Sequence, residues 1–123
     1  MQTNQSDFKV FEKECRKYIH LYGLGDWDIL FLHEFLENND AECRYNVRQR
    51  WATLVLSTEI TKTPQSKSEC VKLCARHEVR EALLATLRQY GEANHVEPDT
   101  IDMEVHTIIN RLERAECGQS KKI

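Results

Sequence analysis

No stretch of this 123-residue chain is apolar for anything near the roughly 20 residues that a membrane span needs. A spanning helix is therefore not expected. The chain does not open on a basic stretch followed by an apolar core either. Met1-Gln2-Thr3-Asn4-Gln5-Ser6 carries no charged side chain, so no secretory signal is expected. A large excess of one charge is also missing. Seventeen Lys and Arg oppose 20 Asp and Glu, a net charge of −3, and nucleic acid is not the expected main partner. Arg44, Arg48 and Arg50 sit close together but read as a solvated turn and strand surface. We find no internal repeat and no low-complexity block. The cysteines (Cys15, Cys43, Cys70, Cys74 and Cys117) are odd in number and loosely spaced. They read as reduced thiols, which points to a cytoplasmic setting rather than a disulfide framework.

What remains is an ordinary globular composition, 41% apolar and 30% charged, so disorder throughout is excluded. The length suits one compact domain and is too short for two. Residues 1–123 are read as that domain, with an ordered core over 6–114 and a frayed tail over 115–123.

Ser6 and Asp7 offer an N-cap, and Phe8, Phe11, Cys15, Tyr18, Ile19 and Tyr22 recur at helical spacing. A helix over 7–22 follows, ended by Gly23 and Gly25. Residues 26–33 are apolar and aromatic, as a strand requires. Residues 37–40 read as a turn, 41–48 as a more polar strand and 51–57 as the best strand in the chain. Residues 61–67, polar and holding Pro64, form a linker. Ser68 and Glu69 open a long helix reaching about Tyr90. Cys70, Leu73, Cys74, His77, Glu81 and Leu84 share one face of it, expected to meet the core. After a loop over 91–98, Asp99 or Thr100 caps a last helix with an apolar stripe of Ile101, Val105, Ile108, Ile109 and Leu112. Helix, strands, helix, helix is an α+β order, with helices covering a mostly antiparallel sheet.

The chemically pointed stretch is His77-Glu78-Val79-Arg80-Glu81, one residue away from a His-Glu-x-x-His zinc helix. Ligands four apart share a helix face and can grip one ion. Catalytic zinc takes three protein ligands and one water. His77 and Glu81 would supply two, and Glu104 or His106 on the last helix a third, with Asp102 behind them. Glu78, rotated by about 100°, would act on the metal-bound water as general base. Two blander readings stand beside this one. His77 can be a core histidine, and Glu81 can pair with Arg76, Arg80 or Arg111. Cys70 and Cys74 with His77 could also ligate a structural zinc, but read better as small buried hydrophobes. His33 and Glu34 read as surface.

His77-Glu78-Val79 with Glu81-Ala82-Leu83-Leu84, then Glu104-x-His106-x-x-Ile109-x-Arg111-Leu112-Glu113, resembles the small phage-encoded metallopeptidases of the zincin-like class. Tyr22-Gly23-Leu24-x-x-Trp27-x-Ile29 looks like their opening. The resemblance covers about residues 8–114. It implies a minimal zincin-like domain, with His77 as first ligand, Glu78 as base, Glu81 in the second ligand position and Glu104 or His106 downstream. Zinc is the implied cofactor and the host cytoplasm the implied location. One departure stands out, since the second ligand is usually histidine. A carboxylate there makes bound water less acidic and favours a harder metal. Two functions follow as expectations. One is a zinc peptidase whose peptide substrate adds a strand to an exposed sheet edge. The other is a silent zincin-like module that binds a host or phage protein through the same groove.

Overall fold

A computed structural model describes residues 1–93 and 96–120. The expected loop at Asn94 and His95 and the tail at 121–123 lie outside them. The described residues form α1 (Gln5–Leu21), β1 (Asp28–His33), β2 (Ala41–Asn46), β3 (Trp51–Leu56), α2 (Lys67–Glu92) and α3 (Pro98–Ser120). The order is α+β, as the periodicities predict. α3 continues to Ser120, through most of the tail expected to fray.

α1 starts earlier than its expected cap. Asn4 is the N-cap: its side chain accepts from the Asp7 N–H, and the Asp7 carboxylate accepts from the Asn4 N–H, each at 2.9 Å. Gly23 ends the helix with φ +65°. The Gly23 N–H donates to His20 and the Leu24 N–H to Ile19, which closes the last turn. α2 is capped by Ser66, two residues before the expected start.

The sheet order is β1-β3-β2, with β1 parallel and β2 antiparallel to β3. It is therefore mixed rather than mostly antiparallel, because the β2–β3 hairpin inserts β3 between β1 and β2. β3 is buried from Ala52 to Leu56, as a central strand of continuous apolar residues should be. The β1–β2 connection is strapped over the end of β3. There Ser57 Oγ accepts from the Leu36 N–H, and the Ser57 N–H donates to the Asp40 carbonyl. Arg44 on β2 reaches Glu34 beyond β1 at 2.6 Å, across β3.

The core joins Phe11 and Cys15 of α1, Leu54 and Leu56 of β3, and Val71, Ala75 and Val79 of α2. The buried face of α2 is not the expected one. Val71, Ala75, Glu78, Val79, Ala82 and Leu83 point inward, while Leu73, His77 and Leu84 are exposed. Two apolar stripes compete on this helix. The one that wins carries alanines at 75 and 82, which let neighbouring backbones approach closely. On α3, Ile108 and Ala115 are buried, but Ile109 and Leu112 of the expected stripe are exposed.

His33 is not a free surface residue. Its ring stacks on Phe8, with centroids 5.1 Å apart, and its Nε2 lies 2.7 Å from Thr3 Oγ1. The Thr3 hydroxyl gives its single proton to the Ser57 carbonyl, so the His33 Nε2–H is the donor.

Candidate functional site

α2 brings His77 and Glu81 together on one face, as the spacing predicts. His77 Nε2 lies 3.6 Å from Glu81 Oε1, and the imidazole side chain is 69% exposed. The other Glu81 oxygen is taken by Arg88, at 3.1 Å. Arg88 is not among the partners expected for Glu81, although its i+7 spacing places it on the same helix face.

Glu78 is buried, at 7% exposure. Burial pushes its carboxyl up to about 7, because a charge is costly away from water. Nearby His77 opposes the rise, while Glu81 and Glu42 of β2 add to it. Cys43 of β2 feels the same group. Its thiol is pushed up to about 12, chiefly by burial and next by Glu78 and Glu81. Burial likewise lifts the Cys74 thiol to about 11. Both shifts favour the protonated thiols at neutral pH.

The last helix does not join this face. Glu104 meets the other side of α2, in a cleft lined by Ala82, Leu83, Thr86 and Tyr90. At about 100° per residue, those positions lie roughly half a turn round the helix from His77 and Glu81. His106 is exposed and pairs with Asp102 at 3.5 Å. Among the described residues no three His, Cys, Asp or Glu side chains gather as a group able to hold a metal ion. Two donors, one already shared with an arginine, are fewer than the three that catalytic zinc takes. Among the described residues, the donors on this face do not by themselves make up a zinc centre. Cys70 does not join His77 either, and its Sγ lies 3.0 Å from Thr63 Oγ1.

What the face does adjoin is a strand edge. β2 is an outer strand of the sheet and packs beside α2. Among the described residues, no backbone hydrogen bond from another segment covers its outer edge. The arrangement therefore offers unpaired main-chain donors and acceptors next to an imidazole, two carboxyls and a guanidinium. No family model, curated protein or solved structure matches this chain. No helix among the described residues is long and apolar enough to cross a membrane.

Proposed function

We propose that this domain is a catalytically silent zincin-like module that holds an extended segment of a protein partner along β2. One observation carries the reading: an open antiparallel edge strand runs beside the His77–Glu81 face of α2. An extended peptide adds to such an edge through its main chain, and neighbouring side chains select the sequence. The exposed imidazole and the Glu81–Arg88 pair would meet its polar groups.

A second reading, a metal-dependent peptidase with Glu78 as base, has its own support. Glu78 titrates at about 7, where a general base for neutral pH should lie. It needs a third ligand beyond His77 and Glu81, and we derive no catalytic step from it.

A random-sequence peptide library displayed against the protein tests both. We expect a selected peptide to bind the native protein and Glu78→Gln alike. Methylating alternate backbone nitrogens of that peptide should weaken binding about tenfold or more, as loss of main-chain hydrogen bonds requires. Indifference to methylation would refute edge pairing. Zinc-dependent cleavage of the peptide, abolished in Glu78→Gln, would assign the site to the peptidase instead.

A further inference from the structure

A second concavity lies at the other end of the sheet, between the β2–β3 turn, the start of β1, α2 and α3. Its volume is about 490 Å³, within the range of small-molecule sites. Three guanidiniums line it, those of Arg48, Arg50 and Arg111, against the carboxyls of Asp26 and Glu104. This local positive balance stands out on a chain of net charge −3. Arg50 donates to Asp26 at 2.7 Å. Arg111 lies 3.8 Å from the same carboxylate and donates to the carbonyls of Tyr22 and Gly23. Arg48 is exposed and has no ion-pair partner among the described residues.

The turn that presents these arginines is strained. Arg50 sits at φ +55°, a left-handed conformation that glycine or asparagine adopts far more readily. Its N–H donates to the Val47 carbonyl and its carbonyl accepts from the Asp28 N–H, so the backbone at the end of the hairpin is held from both sides and fixes where the guanidinium is presented. The half-buried rings of Trp27 and Tyr90 supply flat apolar wall in the same cleft.

The geometry points to a site for a small phosphate ester bearing a flat ring, a nucleoside monophosphate in class. The phosphate would sit on Arg48 and Arg50 and the base against Trp27 or Tyr90. Guanidinium forks match phosphate oxygens in pairs. Two of them side by side, Arg48 and Arg50, suit a dianion better than a carboxylate. Arg111, tied to main-chain carbonyls, is the fixed post that holds Asp26 and so positions Arg50.

The test uses Trp51→Phe protein, in which fluorescence reports Trp27 alone. Adenosine 5′-monophosphate should change that emission saturably, inorganic phosphate should compete, and adenosine alone should bind far more weakly. Arg48→Ala should lower the affinity about ten- to hundredfold, as loss of a charge-assisted contact does. Arg50→Gly should lower it similarly while the melting temperature holds or rises, since glycine relieves the turn. No saturable response to any common nucleoside monophosphate at millimolar concentration would overturn the proposal. So would binding that is indifferent to both substitutions, or an Arg50→Gly protein that melts lower yet binds normally.

Discussion

Replacing Glu78 by glutamine should stabilise this protein, and only at high pH. Glu78 is 7% exposed, on the buried face of α2, with His77 and Glu81 beside it and Glu42 facing it from β2. Burial raises its carboxyl from 4.5 to about 7. A raised acid pKa means that the folded state holds the proton more tightly than the unfolded chain. Its contribution to stability is complete below about pH 4.5 and is lost as pH climbs through about 7. At about 1.4 kcal/mol per pH unit, the rise from 4.5 to about 7 amounts to a loss of about 3 kcal/mol by pH 8. Glutamine keeps the shape and never ionises. Glu78→Gln should therefore exceed the native protein by about 3 kcal/mol at pH 8 and match it within about 0.5 kcal/mol at pH 4. In melting temperature the gain at pH 8 is roughly 10 °C. Urea unfolding of both proteins at the two pH values reads this directly. A variant that is less stable at pH 8, or a difference that does not change with pH, would refute the reasoning. If the gain is found, the chain keeps a carboxyl that weakens it near neutral pH, as residues retained for a site often do.

Two further outcomes test the scaffold. Leu54→Ala, at the fully buried centre of β3, should cost about 2–5 kcal/mol in denaturant unfolding, since the core of α1, α2 and the sheet that encloses it cannot fully collapse onto the gap. Asn4→Ala removes the side-chain acceptor of the Asp7 N–H, while the backbone N–H at position 4 still donates to the Asp7 carboxylate; it should cost about 1 kcal/mol, visible as earlier hydrogen exchange in the first turn of α1.

Local pattern carried much of the architecture. The continuous apolar run with β-branched residues from Trp51 to Leu56 marks a strand, and the glycine at 23 marks the end of a helix, because both depend on neighbours in the chain. The rotation of α2 was not legible. Cys70, Leu73, Cys74 and Leu84 make one apolar stripe, while Val71, Ala75, Val79, Ala82 and Leu83 make another roughly 165° away. Periodicity ranks both. The small side chains won because α1 and the sheet approach from that side, and this put Glu78 inside and His77 outside. The Glu81–Arg88 pair is a matter of i+7 spacing within one helix, whereas the Glu34–Arg44 bridge across β3 was out of reach because β3 had first to insert between its neighbours.

The amino-acid order by itself determined the helices and strands, the α+β class and the nearness of His77 to Glu81, since one helical turn joins them whatever surrounds it. Tertiary structure decided which side of α2 meets water, and it sent Glu104 to the opposite flank of that helix. Ligands on one turn are a local property, but a third ligand is a matter of how two helices pack, and packing is set by side-chain size and burial that no single segment contains.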